Sequence, residues 1–174
     1  MIDIVKKTID FYIKNWKTPS MWDLKLSTWD SNKSSLFVTL YYKWEVRWSA
    51  WNIKEIANSK EEEIIENTVS AISEDSRFKP MNSSEAKSIK VRIDTIESRR
   101  VLWDWELASV EPVKSWVIAI KKDYSKMWVI LPNISASIFM WADFEKALWA
   151  KLWEKFDEKN YIIYEIKTEI EKDF

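Results

Sequence analysis

The sequence predicts an α+β fold, in which a mostly antiparallel and strongly bent sheet carries flanking helices. Three observations predict it. Short runs rich in β-branched and aromatic residues recur along the chain, several are joined by spans short enough for hairpins, and helical periodicities lie between them. The bends carry a further peculiarity: the 174 residues contain no glycine and 13 tryptophans.

Residues 2–14 place Ile2, Val5, Ile9 and Ile13 at helical spacing, which predicts an amphipathic opening helix. Residues 16–35 are polar, with Pro19, Asp30, Ser31, Asn32, Ser34 and Ser35, and with Trp16, Trp22 and Trp29 among them; they read as a loop. Leu36–Tyr42 is β-branched and aromatic, hence a strand, and a tight turn at Lys43-Trp44 returns the chain along Glu45-Val46-Arg47. Ser59-Lys60-Glu61-Glu62 has the form of a capping box. It opens a helix running to residue 74, with Ile64, Ile65, Val69 and Ile72 on its apolar face. The acidic run Glu61-Glu62-Glu63 suits the positive end of that helix, and a carboxylate metal site is the alternative reading of it.

Ser83–Ala86 predicts a short turn of helix, and the alternation of Ile89, Val91 and Ile93 a half-buried strand. Trp103 and Trp105 flank Asp104 at a chain reversal. Residues 116–120 and 128–131 read as strands joined through the polar stretch 121–126. Residues 142–153 form a helical pattern with Phe144, Leu148 and Leu152 on one face, and 161–166 a closing strand.

Composition narrows the function. Hydrophobic residues at 47% support a core, and no linker divides the chain, so residues 2–170 are expected to form one domain. The net charge of −1 exerts no long-range pull on nucleic acid or an acidic membrane. Cysteine and histidine are both absent. That excludes a disulfide framework, a thiol nucleophile, a Cys/His zinc site and a histidine general base within the chain. No cofactor is expected. The N-terminal stretch lacks the apolar core of a signal peptide and no run reaches membrane-spanning length, so a cytoplasmic location is expected.

Tryptophan makes up about 7.5% of the chain, close to the share of about 7% that glycine usually holds. Its positions follow suit. Trp44 stands in a two-residue hairpin turn, and Trp103 and Trp105 in a reversal where positive-φ conformers favour glycine. The pattern is that of a gene whose UGA codons mean glycine, written out with a code that reads UGA as tryptophan. Indoles are then expected in tight turns or exposed on the surface. At Trp141 both readings, a recoded glycine and a genuine tryptophan, stay open.

With glycine at those positions, Val46-Arg47-Trp48-Ser49-Ala50-Trp51, after its strand and hairpin turn, resembles Leu-Arg-Gly-Cys-Ile-Gly, the hallmark of the AMMECR domain family. Further pieces follow in the family's order. Asp75-Ser76-Arg77-Phe78-Lys79-Pro80 resembles Asp-x-Arg-Phe-x-Pro; residues 89–96 resemble the strand after a Glu-x-x-x-Leu turn; Trp116-Val117-Ile118-Ala119 resembles Gly-Leu-Ile-Val. Ile130-Leu131-Pro132-Asn133-Ile134 is similar to Leu-Leu-Pro-Gln-Val, and 148–153 to Leu-Cys-x-Lys-Ala-Gly. Four family glycines thus fall on Trp48, Trp51, Trp116 and Trp153. The resemblance implies a larger and a smaller subdomain. It also implies membership of the AmmeMemoRadiSam system, beside a Memo-like protein and a radical S-adenosylmethionine enzyme. Ser49, Ala50 and Trp149 depart from the family's cysteine, isoleucine and second cysteine, so a mechanism resting on those thiols does not carry over.

Glycine at 48 and 51 would let backbone approach a ligand closely. Arg47 offers a planar fork of donors for carboxylate or phosphate. With Ser49, Asp75 and Arg77 it would form an anion-recognising pocket. The alternative is that Asp75 and Arg77 form a salt bridge and helix-end cap, with Phe78 and Pro80 packed beneath. Three functions stand open: an accessory or recognition component of the implied system; an enzyme acting on a small anionic or nucleotide-like substrate through Arg47, Asp75 and Arg77; and a nucleic-acid-binding module, which the near-neutral charge disfavours.

Overall fold

The computed structural model describes residues 1–26, 32–111, 114–130, 140–152 and 157–174. Readings made at Trp29, Asp30, Ser31, residues 131–134 and Trp153 lie outside these residues, as do those resting on the side chains of Phe144, Leu148, Trp149 and Leu152. The elements run α1 (Ile2–Asn15), β1 (Leu36–Tyr42), β2 (Glu45–Trp51), α2 (Lys60–Glu74), α3 (Ser83–Ala86), β3 (Lys90–Leu102), β4 (Trp116–Lys121), β5 (Met127–Ile130), α4 (Trp141–Leu152) and β6 (Tyr161–Lys172), with short 3-10 turns at Asp104–Ser109 and Glu158–Asn160. The strand order is β2-β1-β3-β6-β4-β5. β1 pairs antiparallel with β2 and β3, and β4 with β5 and β6. The fold is α+β, as predicted. Contacts gather in two units, 1–96 with 169–174, and 97–168, and β3 and β6 pass through both.

In the first unit, α1 buries Val5 and Ile9, and α2 buries Ile64, Ile65, Val69 and Ile72, the face its periodicity predicts. Val5, Ile9, Ile64 and Ile72 meet Leu36, Val38 and Leu40 of β1 and Val91 and Ile93 of β3 in one core, while Ile65 packs with Met21 and Leu24. Each such side chain contributes about 1.5–3 kcal/mol on leaving water. β1 is buried along five consecutive residues, so both of its faces are covered. A register shift at Leu40/Tyr41 bends the β1–β2 pair.

The ends of these elements show where the sequence strains. α1 closes on Trp16, left-handed at φ 52°, with its N–H bonded to the Tyr12 carbonyl at 2.7 Å. The β1–β2 turn holds Lys43 at φ 52° and Trp44 at φ 70°, the two consecutive positive-φ residues of a primed hairpin turn. α2 begins with the Ser59 hydroxyl accepting from the Glu62 N–H at 3.2 Å, but the Glu62 carboxylate accepts from Asn58 rather than closing a capping box on Ser59.

The acidic run is structural. Glu63, 1% exposed, accepts from the Ile56 and Ala57 N–H groups at 2.9 Å and from the amides of Asn52 and Asn67. Four donors meet a charge that burial alone would forbid. Among the described residues no carboxylate group of metal-binding form exists.

In the second unit, Leu102, Leu107, Val110, Val117, Ala119, Ile130, Tyr161 and Ile163 share a core with Trp141. Arg100 bridges Glu165 at 2.8 Å and Glu106 at 2.5 Å, and the Ser115 hydroxyl donates to Glu165. The reversal near residue 104 differs from expectation: Trp103 has φ −86° and leads into a 3-10 turn, so no positive φ is needed there. Trp103 and Trp105 are exposed and stack on each other at 5.5 Å. No described helix is long and apolar enough to cross a membrane.

The indoles divide. Trp16, Trp22, Trp44, Trp103 and Trp105 are exposed, as expected, whereas Trp48, Trp116 and Trp141 are buried. The buried ones sit on inward faces, where a large apolar side chain finds room. The Trp116 N–H also donates to the Thr168 hydroxyl at 3.2 Å. Trp44→Gly and Trp16→Gly should each stabilise the fold by about 1 kcal/mol, by relieving a left-handed non-glycine residue. Trp103→Gly should not. Urea unfolding midpoints read the difference, and a destabilised Trp44→Gly would contradict the turn geometry.

Candidate functional site

Residues 47–51 occupy β2, an edge strand, and residues 75–79 follow α2 directly. The two segments are joined by one carboxylate. Asp75, the C-cap of α2, accepts from the Ser49 backbone N–H at 3.0 Å. An edge strand leaves outward N–H groups without a ladder partner, and Asp75 supplies one. The same carboxylate takes Arg77 in a two-pronged pair, Nε to Oδ1 at 2.8 Å and Nη2 to Oδ2 at 2.6 Å, while Nη2 also donates to the Ser49 hydroxyl at 2.7 Å. The Asp75 side chain is only 5% exposed and Arg77 half-exposed. Burial pushes the Asp75 carboxyl up, but the Arg77 hydrogen bonds and the Ser49 N–H together outweigh it and hold it below its usual range. The hydrogen bond from Asp75 in turn raises Arg77.

Arg47 lies against two aromatic rings. Its guanidinium carbon is 4.5 Å from the Trp48 ring centre and 4.6 Å from that of Phe78, and Arg77 lies over the same Phe78 ring at 5.2 Å. With an indole at 48, Arg47 packs against two aromatic faces. It forms an ion pair with Glu85 at 3.7 Å, a separation too long for a hydrogen bond. Among the described residues Arg47 makes no hydrogen bond, and neither does Nη1 of Arg77. Two guanidinium groups beside one ring, with donors unspent, can receive an anion.

The structure gathers Arg47, Trp48, Ser49, Asp75, Arg77 and Phe78. Trp48 points inward, 1% exposed, and its indole N–H donates to the Lys79 carbonyl at 3.0 Å. Ala50 packs against the core of the first unit and Trp51 stacks on Phe37 at 5.6 Å, so neither adds a polar group to the cluster. The salt bridge foreseen for Asp75 and Arg77 is present. The foreseen cap is not formed among the described residues: Asp75 stands at the end of α2, while its carboxylate accepts from Ser49 and Arg77. Phe78 is half-buried, but Pro80 is exposed rather than packed beneath, because the chain turns out between Phe78 and Met81. Glu85 is the residue that sequence reasoning missed. It also serves the capping box of α3, with its carboxylate accepting from the Asn82 N–H.

Comparison with known proteins follows the same motif. The AMMECR1 family model matches residues 2–167. The chain belongs to the AMMECR1 family. A crystal structure described as uncharacterised protein PH0010 from Pyrococcus horikoshii superposes with a TM-score of 0.77 at 18% identity, over 98% of this chain and 88% of that one. That likeness supports the fold of the AMMECR1 domain alone. No curated protein matched.

Asp75 makes the acid limb of stability predictable. A carboxyl lowered in the folded state stabilises the fold above its ordinary pKa of 3.8, and that contribution fades as pH falls through the lowered value. Asp75→Asn should cost about 1–3 kcal/mol at pH 7, and the gap from the wild type should narrow below pH 4. Urea titrations at several pH values check this. A gap that stays constant down to pH 2 would show that the carboxylate charge is not what matters.

Proposed function

We propose that this AMMECR1-family protein is an anion-recognising component of the AmmeMemoRadiSam system, working in the cytoplasm beside a Memo-like protein and a radical S-adenosylmethionine enzyme. The observation that carries the reading is Arg47: a guanidinium held against the Phe78 ring, three-quarters covered, with Glu85 as its ion-pair partner at 3.7 Å and no hydrogen bond among the described residues. Stacking fixes its plane and leaves its in-plane donors for a carboxylate or phosphate. Arg77, pinned by Asp75, adds a second cation whose Nη1 is unspent, and the Ser49 hydroxyl can turn its proton to the same guest.

The arrangement supports binding over catalysis. Both Asp75 oxygens are engaged by Arg77 and the Ser49 N–H, and no base accepts the Ser49 hydroxyl proton among the described residues. An enzyme acting on a small anionic or nucleotide-like substrate is the second reading, favoured by the convergence of Arg47, Asp75 and Arg77 on one ring and one serine.

The reading of tryptophan as glycine joins this proposal. The left-handed backbone at Trp16 and Trp44 and the exposure of five indoles support it. The coding DNA decides: TGA at most of the 13 tryptophan positions is expected, and TGG at most of them would end the recoding.

Co-purification with the Memo-like and radical-enzyme partners tests the function. The wild type should be retained, and Arg47→Ala should weaken retention by about thirtyfold or more, the size of a buried arginine anchor. Its melting temperature should change little. Equal loss of retention and stability would make Arg47 a packing residue.

A further inference from the structure

We infer that the cavity between residues 19–22 and residues 56–66 binds a primary alkylammonium group, its aliphatic stem on an apolar floor and its charge between Glu62 and Glu66. The cavity lies wholly in the first unit and is separate from the anion cluster at the far end of α2.

The cavity measures about 520 Å³ and is open to solvent. That is far more than a lone ion fills, and it falls among the sites that small organic molecules use, about 300–1,000 Å³. Its floor is apolar. Pro19, Met21 and Ile65 are buried residues that line it, and Met21 and Ile65 pack together with Leu24 in a small core of their own. Packing therefore holds the floor in place before a guest arrives. Ile56 stands at the mouth, 62% exposed, an aliphatic side chain that gains by being covered. Trp22 lies at the rim and is also exposed. The floor and the carboxylates are the same whether an indole or a glycine stands there.

The charged wall is acidic. Glu62 and Glu66 both line the cavity, spaced i,i+4 on α2, so their Cβ atoms lie about 5–6 Å apart. Like charges at that spacing weaken a helix, and among the described residues no lysine or arginine lines the cavity to offset them. Glu62 has a structural reason for its place: it sits at the positive end of α2 and accepts from the Asn58 N–H at 3.1 Å. Glu66, a turn further on, has none. It makes no hydrogen bond and no ion pair among the described residues. An inorganic cation would meet the carboxylates and leave the apolar floor in water. A neutral hydrocarbon would cover the floor and dry the site around two like charges. An ammonium on an aliphatic stem answers both walls, its three N–H donors meeting carboxylate oxygens while the stem covers Ile56 and the floor.

The test is a chemical-shift titration of the full chain at pH 7 with hexylammonium, butylammonium, hexanol, hexanoate and ammonium chloride, read at the methyl signals of Ile56 and Ile65. Hexylammonium should move both signals and bind about tenfold more tightly than butylammonium, the gain from two methylenes leaving water. Hexanol, hexanoate and ammonium should each bind at least about tenfold more weakly than hexylammonium. Glu66→Gln changes an exposed side chain without a partner, so it should fold normally by circular dichroism. It should lower hexylammonium affinity about fivefold, the worth of one partly exposed ion pair, and leave hexanol unaffected. Ile56→Ser should shrink the difference between hexylammonium and butylammonium. Hexanol or hexanoate binding as tightly as hexylammonium overturns the charged wall, and so does a folded Glu66→Gln protein with unchanged affinity. Ammonium chloride matching hexylammonium overturns the apolar floor, and unmoved Ile56 and Ile65 signals overturn the site. Two further probes separate the sources of the group: tighter binding of cadaverine assigns the site to free amines, and tighter binding of Nα-acetyl-lysine methylamide to a lysyl side chain.

Discussion

The Asp75 carboxylate is the constraint on which the site depends. It fills the outward N–H of Ser49 on an edge strand, accepts the Arg77 backbone N–H just past α2, and fixes the Arg77 guanidinium in a two-pronged pair. Those three tasks place residues 75–79 against β2, and so bring Phe78 under both Arg47 and Arg77. Remove the carboxylate and an edge donor, the Arg77 backbone N–H and the Arg77 guanidinium all lose their partner together. The shared partner also means these contributions are not additive.

The proposed anion recognition follows from what the lock leaves unspent. Arg77 uses two of its nitrogens on Asp75 and Ser49, and Arg47 uses its faces on rings rather than its edge on acceptors. Side chains ordered in this way forfeit little further rotamer freedom when a guest arrives. A rigid floor with free donors is a better anion receptor than the same arginines on a loose surface.

Much of this was legible beforehand. The faces of α1 and α2, the β1–β2 hairpin and the pairing of Asp75 with Arg77 follow from apolar spacing and motif order. β3 and β6 run further than their apolar alternation signals, through Glu97-Ser98-Arg99-Arg100 and through residues 167–172, because backbone pairing between neighbouring strands does not need apolar side chains. Glu85 could not be singled out, since its approach to Arg47 depends on α3 reaching β2. Trp48 was the hardest to read: composition marks it as a bend residue, whereas its place on β2 turns it inward and hides it. Trp103 shows the opposite limit, a turn that looked to require glycine and is met by a 3-10 turn instead.

Amide hydrogen exchange at Ser49 tests the lock most directly. If Asp75 holds that edge N–H, it should exchange as slowly as the amides of the central strand β1, by openings that approach global unfolding. Exchange at the rate of an ordinary exposed edge amide would contradict the account.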